Sequence, residues 1–177
     1  MNLLFRMLRV LLTGIFRTKV DFLDESVVFF RVLPNDLDFN LHMNNGRYLT
    51  IMDLGRFDLM QRSGLAGIAI KNRWMPVVAS QVINYRRSLA PFQRYSLHSR
   101  ILGWDERFVY FLQQFRSKDG RLAASALVRA GILVKGRSLT MKEIIEIVGY
   151  KGPRPILASE VTAWRDTEEW LRSDAET

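Results

Sequence analysis

The sequence predicts an α+β fold in which an antiparallel sheet curls around one long helix. Residues 48–60 carry apolar side chains at 48, 49, 51, 52, 54, 57, 59 and 60, a helical spacing with so little interruption that this helix must be mostly buried. Downstream, residues 74–86, 95–104, 107–116 and 122–134 alternate or run rich in β-branched and aromatic residues. Turns fall between them at 103–106, 118–120 and Gly136. A helix followed by strands joined through tight turns closes most simply as an antiparallel sheet around that helix. The 177 residues, 48% apolar and 25% charged, suit one domain with an ordinary core.

Taken in order, residues 3–16 (LLFRMLRVLLTGIF) are apolar except for Arg6, Arg9 and Thr13, with Arg17 just beyond. On a helix these four positions fall within roughly 80° of one another, a basic stripe on an otherwise apolar surface. Such a helix suits a membrane interface, with its arginines toward the headgroups, or packing on the domain or on a second subunit. The internal arginines exclude a membrane span, and no small-residue cleavage site follows. Residues 27–33 (VVFFRVL) form the first strand, ended by Pro34, which cannot donate to a ladder. Ser63 and Gly64 stop the long helix. Two short helices are expected over 140–148 and 159–172, with KGPRP as a stiff connector between them. The chain then divides into an amphipathic helix (1–20), the main domain (21–150) and a C-terminal extension, expected to be helical (151–177).

The densest chemistry lies between Asn35 and Arg62. Asp36, Asp38, Asn40 and His42 alternate with apolar residues, then Asn44, Asn45 and Gly46 break the pattern ahead of the helix. The run Asp38 to Tyr48, D-x-N-x-H-M-N-N-x-x-Y, resembles the signature of hotdog-fold acyl-CoA thioesterases of the 4-hydroxybenzoyl-CoA type. PNDLDFNLHMNNGRYL resembles the thioesterase-superfamily-member-6-like proteins within that superfamily. The resemblance covers about residues 25–150 and implies a hotdog fold, an antiparallel sheet wrapped around a long central helix.

It also implies a site. Asp38 matches the acid that acts as base or nucleophile, Asn45 the position whose backbone N–H polarises the thioester carbonyl, and His42 the histidine of the motif, and these three are the catalytic residues the resemblance implies. Asn44, Gly46 and Tyr48 are the substrate-binding residues the resemblance implies, Gly46 by permitting close approach. The glycine usual before the histidine is Leu41 here. Asp36 is a second candidate acid, and Asp53 and Asp58 stand on the helix, where other hotdog thioesterases keep their carboxylate. Arg56, three residues after Asp53, suggests that acid is held in an ion pair. Taken singly, Asn44 or Asn45 reads as a helix cap and His42 as a hydrogen-bonded structural residue.

No cysteine is present, which removes disulfides, thiolate nucleophiles and cysteine-zinc sites. DLDFN begins like a calcium loop, but Leu41 stands where glycine is needed and Arg47 where a bidentate glutamate is needed. Neither a metal nor a cofactor is expected. The net charge of +8 points to an anionic partner. No nucleic-acid motif accompanies it, whereas arginines such as Arg86, Arg87, Arg100 and Arg121 suit the phosphates of coenzyme A.

The expected activity is therefore hydrolysis of an acyl thioester of coenzyme A or acyl carrier protein, by a homodimer or larger homo-oligomer. The expected location is the cytoplasm, with peripheral membrane contact through residues 3–17. The alternative is a non-catalytic acyl-lipid or acyl-CoA binding module at a membrane surface.

Overall fold

The computed structural model describes residues 2–174. In chain order they form α1 (Asn2–Phe16), β1 (Ser26–Arg31), a 3-10 turn (Pro34–Asp36), α2 (Asn45–Arg62), α3 (Leu65–Lys71), β2 (Met75–Tyr85), β3 (Arg94–Trp104), β4 (Val109–Ser117), β5 (Leu122–Val134), β6 (Arg137–Ser138), α4 (Met141–Val148) and α5 (Ser159–Asp174). The sheet is antiparallel, in the order β1-β3-β4-β5-β2, with β6 pairing only the end of β5.

The sheet sheathes α2, as the spacing of apolar residues requires. Ile51, Met52, Leu54 and Leu59 meet Val28, Phe30, Leu97, Phe111, Phe115 and Val128 in one continuous core. The helix lies close because Gly55 faces the sheet. A Cβ there would come within 2.5 Å of Ser99 Oγ and 2.6 Å of a Leu97 methyl, so any side chain would push helix and sheet apart. Gly64, at φ 80°, ends α2 as expected, but it also opens α3, a helix for which the sequence offered no signal. A second cluster, including Phe22, Trp104, Ile144 and Tyr150, fixes α4. That helix starts with a capping box between Thr140 and Glu143.

Helix α1 departs from expectation in which face it buries. Its arginines turn toward β1: Arg6 is buried, Arg17 is half-buried, and Arg9 reaches the strand while staying exposed. Arg6, Arg9 and Arg17 donate to the carbonyls of Arg31, Phe29 and Val27 in turn, every second residue along the free edge of β1. Arg17 also donates to Asp58 at 2.8 Å, and Asp58, fully buried, further accepts from Ser26 and Arg62. An edge strand leaves such carbonyls unpaired, and three guanidinium groups are strong donors to them. The arginines of the stripe are thus engaged by the edge of β1. Leu4, Phe5, Leu8, Leu12, Ile15 and Phe16, the last 89% exposed, are left facing solvent. Among the described residues no helix is long and apolar enough to cross a membrane.

Candidate functional site

The chain between β1 and α2 folds back on itself. Leu37 and Met43 form an isolated antiparallel bridge, which closes residues 38–42 into a tight loop. Within it the Asp38 N–H donates to the His42 carbonyl at 2.9 Å and the Leu41 N–H to the Asp38 carbonyl at 3.1 Å. Leu41 adopts φ 56°, the left-handed conformation that favours glycine. Leu41, where the motif it resembles has glycine, thus holds a conformation glycine adopts freely, at a cost in backbone strain.

The two candidate acids of this segment part company here. Asp36 is 1% exposed: its carboxylate accepts from Arg6 and from the Leu33 N–H at 2.8 Å, with Arg47 Nε 3.7 Å away. It holds the turn and has no access to a substrate. Asp38 is only half-buried, and one oxygen, Oδ1, accepts from the Asn40 N–H at 2.9 Å and the His42 N–H at 3.4 Å. The other oxygen has no hydrogen-bond partner among the described residues. His42, whose backbone N–H donates to Oδ1, is itself exposed.

Helix α2 starts at Asn45, three residues earlier than the apolar spacing indicates, because Asn44 caps it. The Asn44 N–H donates to the Asp36 carbonyl at 2.8 Å, its side chain accepts from the Gly46 N–H at 2.9 Å, and its carbonyl accepts from the Arg47 N–H at 2.9 Å. Asn44 thus satisfies two of the first three amides of the helix and leaves that of Asn45 available to a ligand, reinforced by the helix dipole. The Asn45 carbonyl accepts from Tyr85 Oη at 3.0 Å, which ties the helix start to β2. Tyr48 is drawn into the core, 2% exposed, with its ring against those of Tyr85 and Phe115. Burial, helped by Tyr85, pushes its hydroxyl up to about 12, against a backbone hydrogen bond at Leu89. The ring supports the helix start from beneath and offers a substrate no surface.

A cavity of about 210 Å³ opens between the second half of α2, the sheet and α4. Its walls are apolar, with Phe57, Met60, Trp74, Val78, Phe111 and Ile144 among them. Asp53 and Arg56 are the charged residues lining it. Arg56 is held between Asp53 and Gln113, and Gln113 in turn donates to Ser99 at 2.8 Å and to the Met52 carbonyl at 2.9 Å. Burial lowers the pKa of the Arg56 guanidinium and Asp53 opposes the shift. Sequence reasoning anticipated the pair but not the cavity, whose walls come from eight separate segments between Phe22 and Val148. Asp38 does not line it. A second, open and polar pocket of about 450 Å³ lies between the 87–93 loop and the β4–β5 turn, with Arg87, Lys118 and Arg121 against Asp119. No group of three or more residues able to hold a metal occurs among the described residues.

A family model described as the thioesterase-like superfamily matches residues 32–162, from the 3-10 turn through the sheet to the start of α5. The chain belongs to this superfamily. Protein THEM6 of Danio rerio is 44% identical over 114 residues, covering 64% of this chain and 56% of that protein. Protein THEM6 of Drosophila melanogaster is 27% identical over 157 residues, 88% of this chain and 79% of its own. A probable thioesterase of Saccharomyces cerevisiae is 29% identical over 130 residues, 72% of this chain and 56% of its own. The match thus spans little more than half the length of two of these relatives. Among solved structures, the probable thioesterase YbaW of Escherichia coli superposes with a TM-score of 0.63 at 23% identity, over 69% of this chain and 95% of that one. The DHNA-CoA thioesterase of Staphylococcus aureus gives 0.60 at 13%, over 81% and 95%. These likenesses establish the hotdog fold. Helix α1 lies outside the superfamily match.

Proposed function

We propose that this member of the thioesterase-like superfamily hydrolyses an acyl thioester to the free acid and the thiol. Asp38 serves as base or nucleophile and the Asn45 amide as oxyanion donor. The observation that carries the reading is the pairing of an accessible carboxylate with a helix-start amide left unpartnered by its own cap. As base, Asp38 takes a proton from water, and the oxygen so activated attacks the thioester carbonyl. The charge that develops on the carbonyl oxygen is met by the Asn45 N–H, and collapse breaks the C–S bond and expels the thiolate. As nucleophile, the carboxylate forms a mixed anhydride, the thiolate leaves, and water then releases the acid.

Coenzyme A as carrier is supported by the polar pocket at Arg87, Lys118 and Arg121, since guanidinium and ammonium groups bind phosphate. The apolar cavity falls below the roughly 300 Å³ where pockets for whole ligands begin. It suits part of an acyl chain. Because Asp53 lines it, a second assignment places the carboxylate on α2. Peripheral membrane contact belongs to the same reading, through the apolar outer face of α1 in place of its arginines, with the net charge of +8 favouring an anionic surface.

Release of free thiol from a panel of acyl-CoAs tests the assignment. Asp38→Asn is expected to lower turnover by a factor on the order of 10² or more with substrate binding kept, whereas Asp36→Asn and Asp58→Asn cost stability. Wild-type turnover in Asp38→Asn with a collapse in Asp53→Asn would move the acid to α2. A wild-type protein that binds acyl-CoA and releases no thiol would be the binding module instead.

A further inference from the structure

Arg6 stands outside the superfamily match, yet its side chain ends in the hydrogen-bond network that builds the site. It is 7% exposed, and its guanidinium reaches both carboxylate oxygens of Asp36 as well as the Arg31 carbonyl at 3.0 Å. Asp36 is where three elements meet. Its carboxylate takes the Leu33 N–H at the end of β1, and its backbone carbonyl takes the N–H of Asn44, the cap of α2. Asn44 in turn satisfies Gly46 and Arg47 and so leaves the Asn45 amide as the available donor. We infer that Arg6 is a positioning residue. Through Asp36 it fixes the backbone at Asn44 and Asn45, and α1 is part of the machinery that presents the oxyanion amide.

The physical reason lies in the burial of Asp36. A carboxylate at 1% exposure needs a matching charge, and removing one partner of a buried pair leaves the other uncompensated. Arg47, on the far side, sits 3.7 Å away and is itself part-exposed, so Arg6 carries most of that compensation. Without Arg6 the Asp36 carboxylate is left buried without its main counter-charge, and its movement toward water pulls on the carbonyl that holds Asn44. Arg9 supplies a natural control. It binds the edge of β1 through the Phe29 carbonyl and stacks on Phe30 with its carbon 5.3 Å from the ring centre, but it makes no contact with Asp36.

The inference rests on the proposed thioesterase site, and its test has one readout that does not. In full-length protein, Arg6→Met is expected to lower kcat ten- to a hundredfold with little change in KM, the scale that small misplacements of a reacting group produce. Arg9→Met keeps kcat at comparable thermal stability. Arg6→Lys, which keeps the charge and loses the fork, falls between, and it replaces Arg6→Met should that variant fail to fold. Independently of turnover, exchange of the hydrogen-bonded backbone amides of Asn44 and Gly46 speeds up in the Arg6 variants and not in Arg9→Met. Unchanged exchange at those amides, or equal loss of kcat in the Arg6 and Arg9 variants, overturns the proposal. If the wild type hydrolyses no thioester, exchange alone decides the role of Arg6, and the functional reading fails separately.

Discussion

Leu41 holds φ 56° with its side chain 66% exposed, so it carries the strain of a left-handed residue with little packing to offset it. That conformation costs an L-residue roughly 1–2 kcal/mol, and glycine in its place costs roughly 0.5–1 kcal/mol through the freedom it adds to the unfolded chain. Leu41→Gly is therefore expected to stabilise the protein by about 0.5–1 kcal/mol, read as a higher urea midpoint at unchanged slope. A midpoint that falls would mean that the leucine side chain contributes packing worth more than the strain. The same turn shows where a residue-level reading of sequence stops. Asp36 and Asp38 stand two apart and would share a face in extended chain, but the 3-10 turn and the Leu37–Met43 bridge send one into the fold and the other toward solvent. That choice depends on Arg6, thirty positions upstream.

At the scale of elements, α1 shows what periodicity can and cannot say. The spacing of Arg6, Arg9, Thr13 and Arg17 reveals a stripe, but a stripe gives only an axis, and which side turns inward depends on what the neighbouring surface lacks. Here the neighbour is a row of unpaired carbonyls, so the polar side goes in. The expected membrane behaviour changes sign accordingly. Apolar side chains are each worth about 1.5–3 kcal/mol on full burial and are indifferent to salt. The protein should then sediment with neutral as well as anionic vesicles, and high salt should leave most of the association intact. Replacing Leu8, Leu12 and Ile15 by serine, which spares the arginines, should release it; equal sedimentation of that variant would rule out this face as the contact. By contrast α2 and the strands β2 to β5 were legible within a few residues, because each buries one face of a regular pattern. Helix α3 was not. Its seven residues, LAGIAIK, are too short for a period, contain Gly67 and two isoleucines, and follow a glycine that reads as a stop.

For the whole molecule the decisive asymmetry is between the two edges of the sheet. Strand β1 is sealed by α1, whereas β2 runs eleven residues along the opposite edge with Met75, Val78, Val82 and Tyr85 all substantially exposed. A long apolar edge strand of this kind recruits another strand. Two copies joined antiparallel through β2 would bring the Tyr85 end of one, which touches Asn45, toward the Met75 end of the other, which borders the apolar cavity. Light scattering is expected to give a dimer mass. Val82→Lys, a charge at the centre of that edge, should yield a folded monomer with greatly reduced turnover. A wild-type monomer across micromolar concentrations would remove both the pairing and the shared site.

The arginine ladder on β1 has a consequence for how large such an assembly can grow. A sheet open at both edges can add copies at each end without limit, as a fibre does, because every addition exposes a fresh edge identical to the one just covered. With β1 capped by Arg6, Arg9 and Arg17, β2 is the open edge left among the described residues, so a copy that pairs through β2 would have no second edge to offer and growth by strand addition would be expected to stop at two. On that expectation, three side chains on a helix outside the superfamily match would serve as a stop on polymerisation.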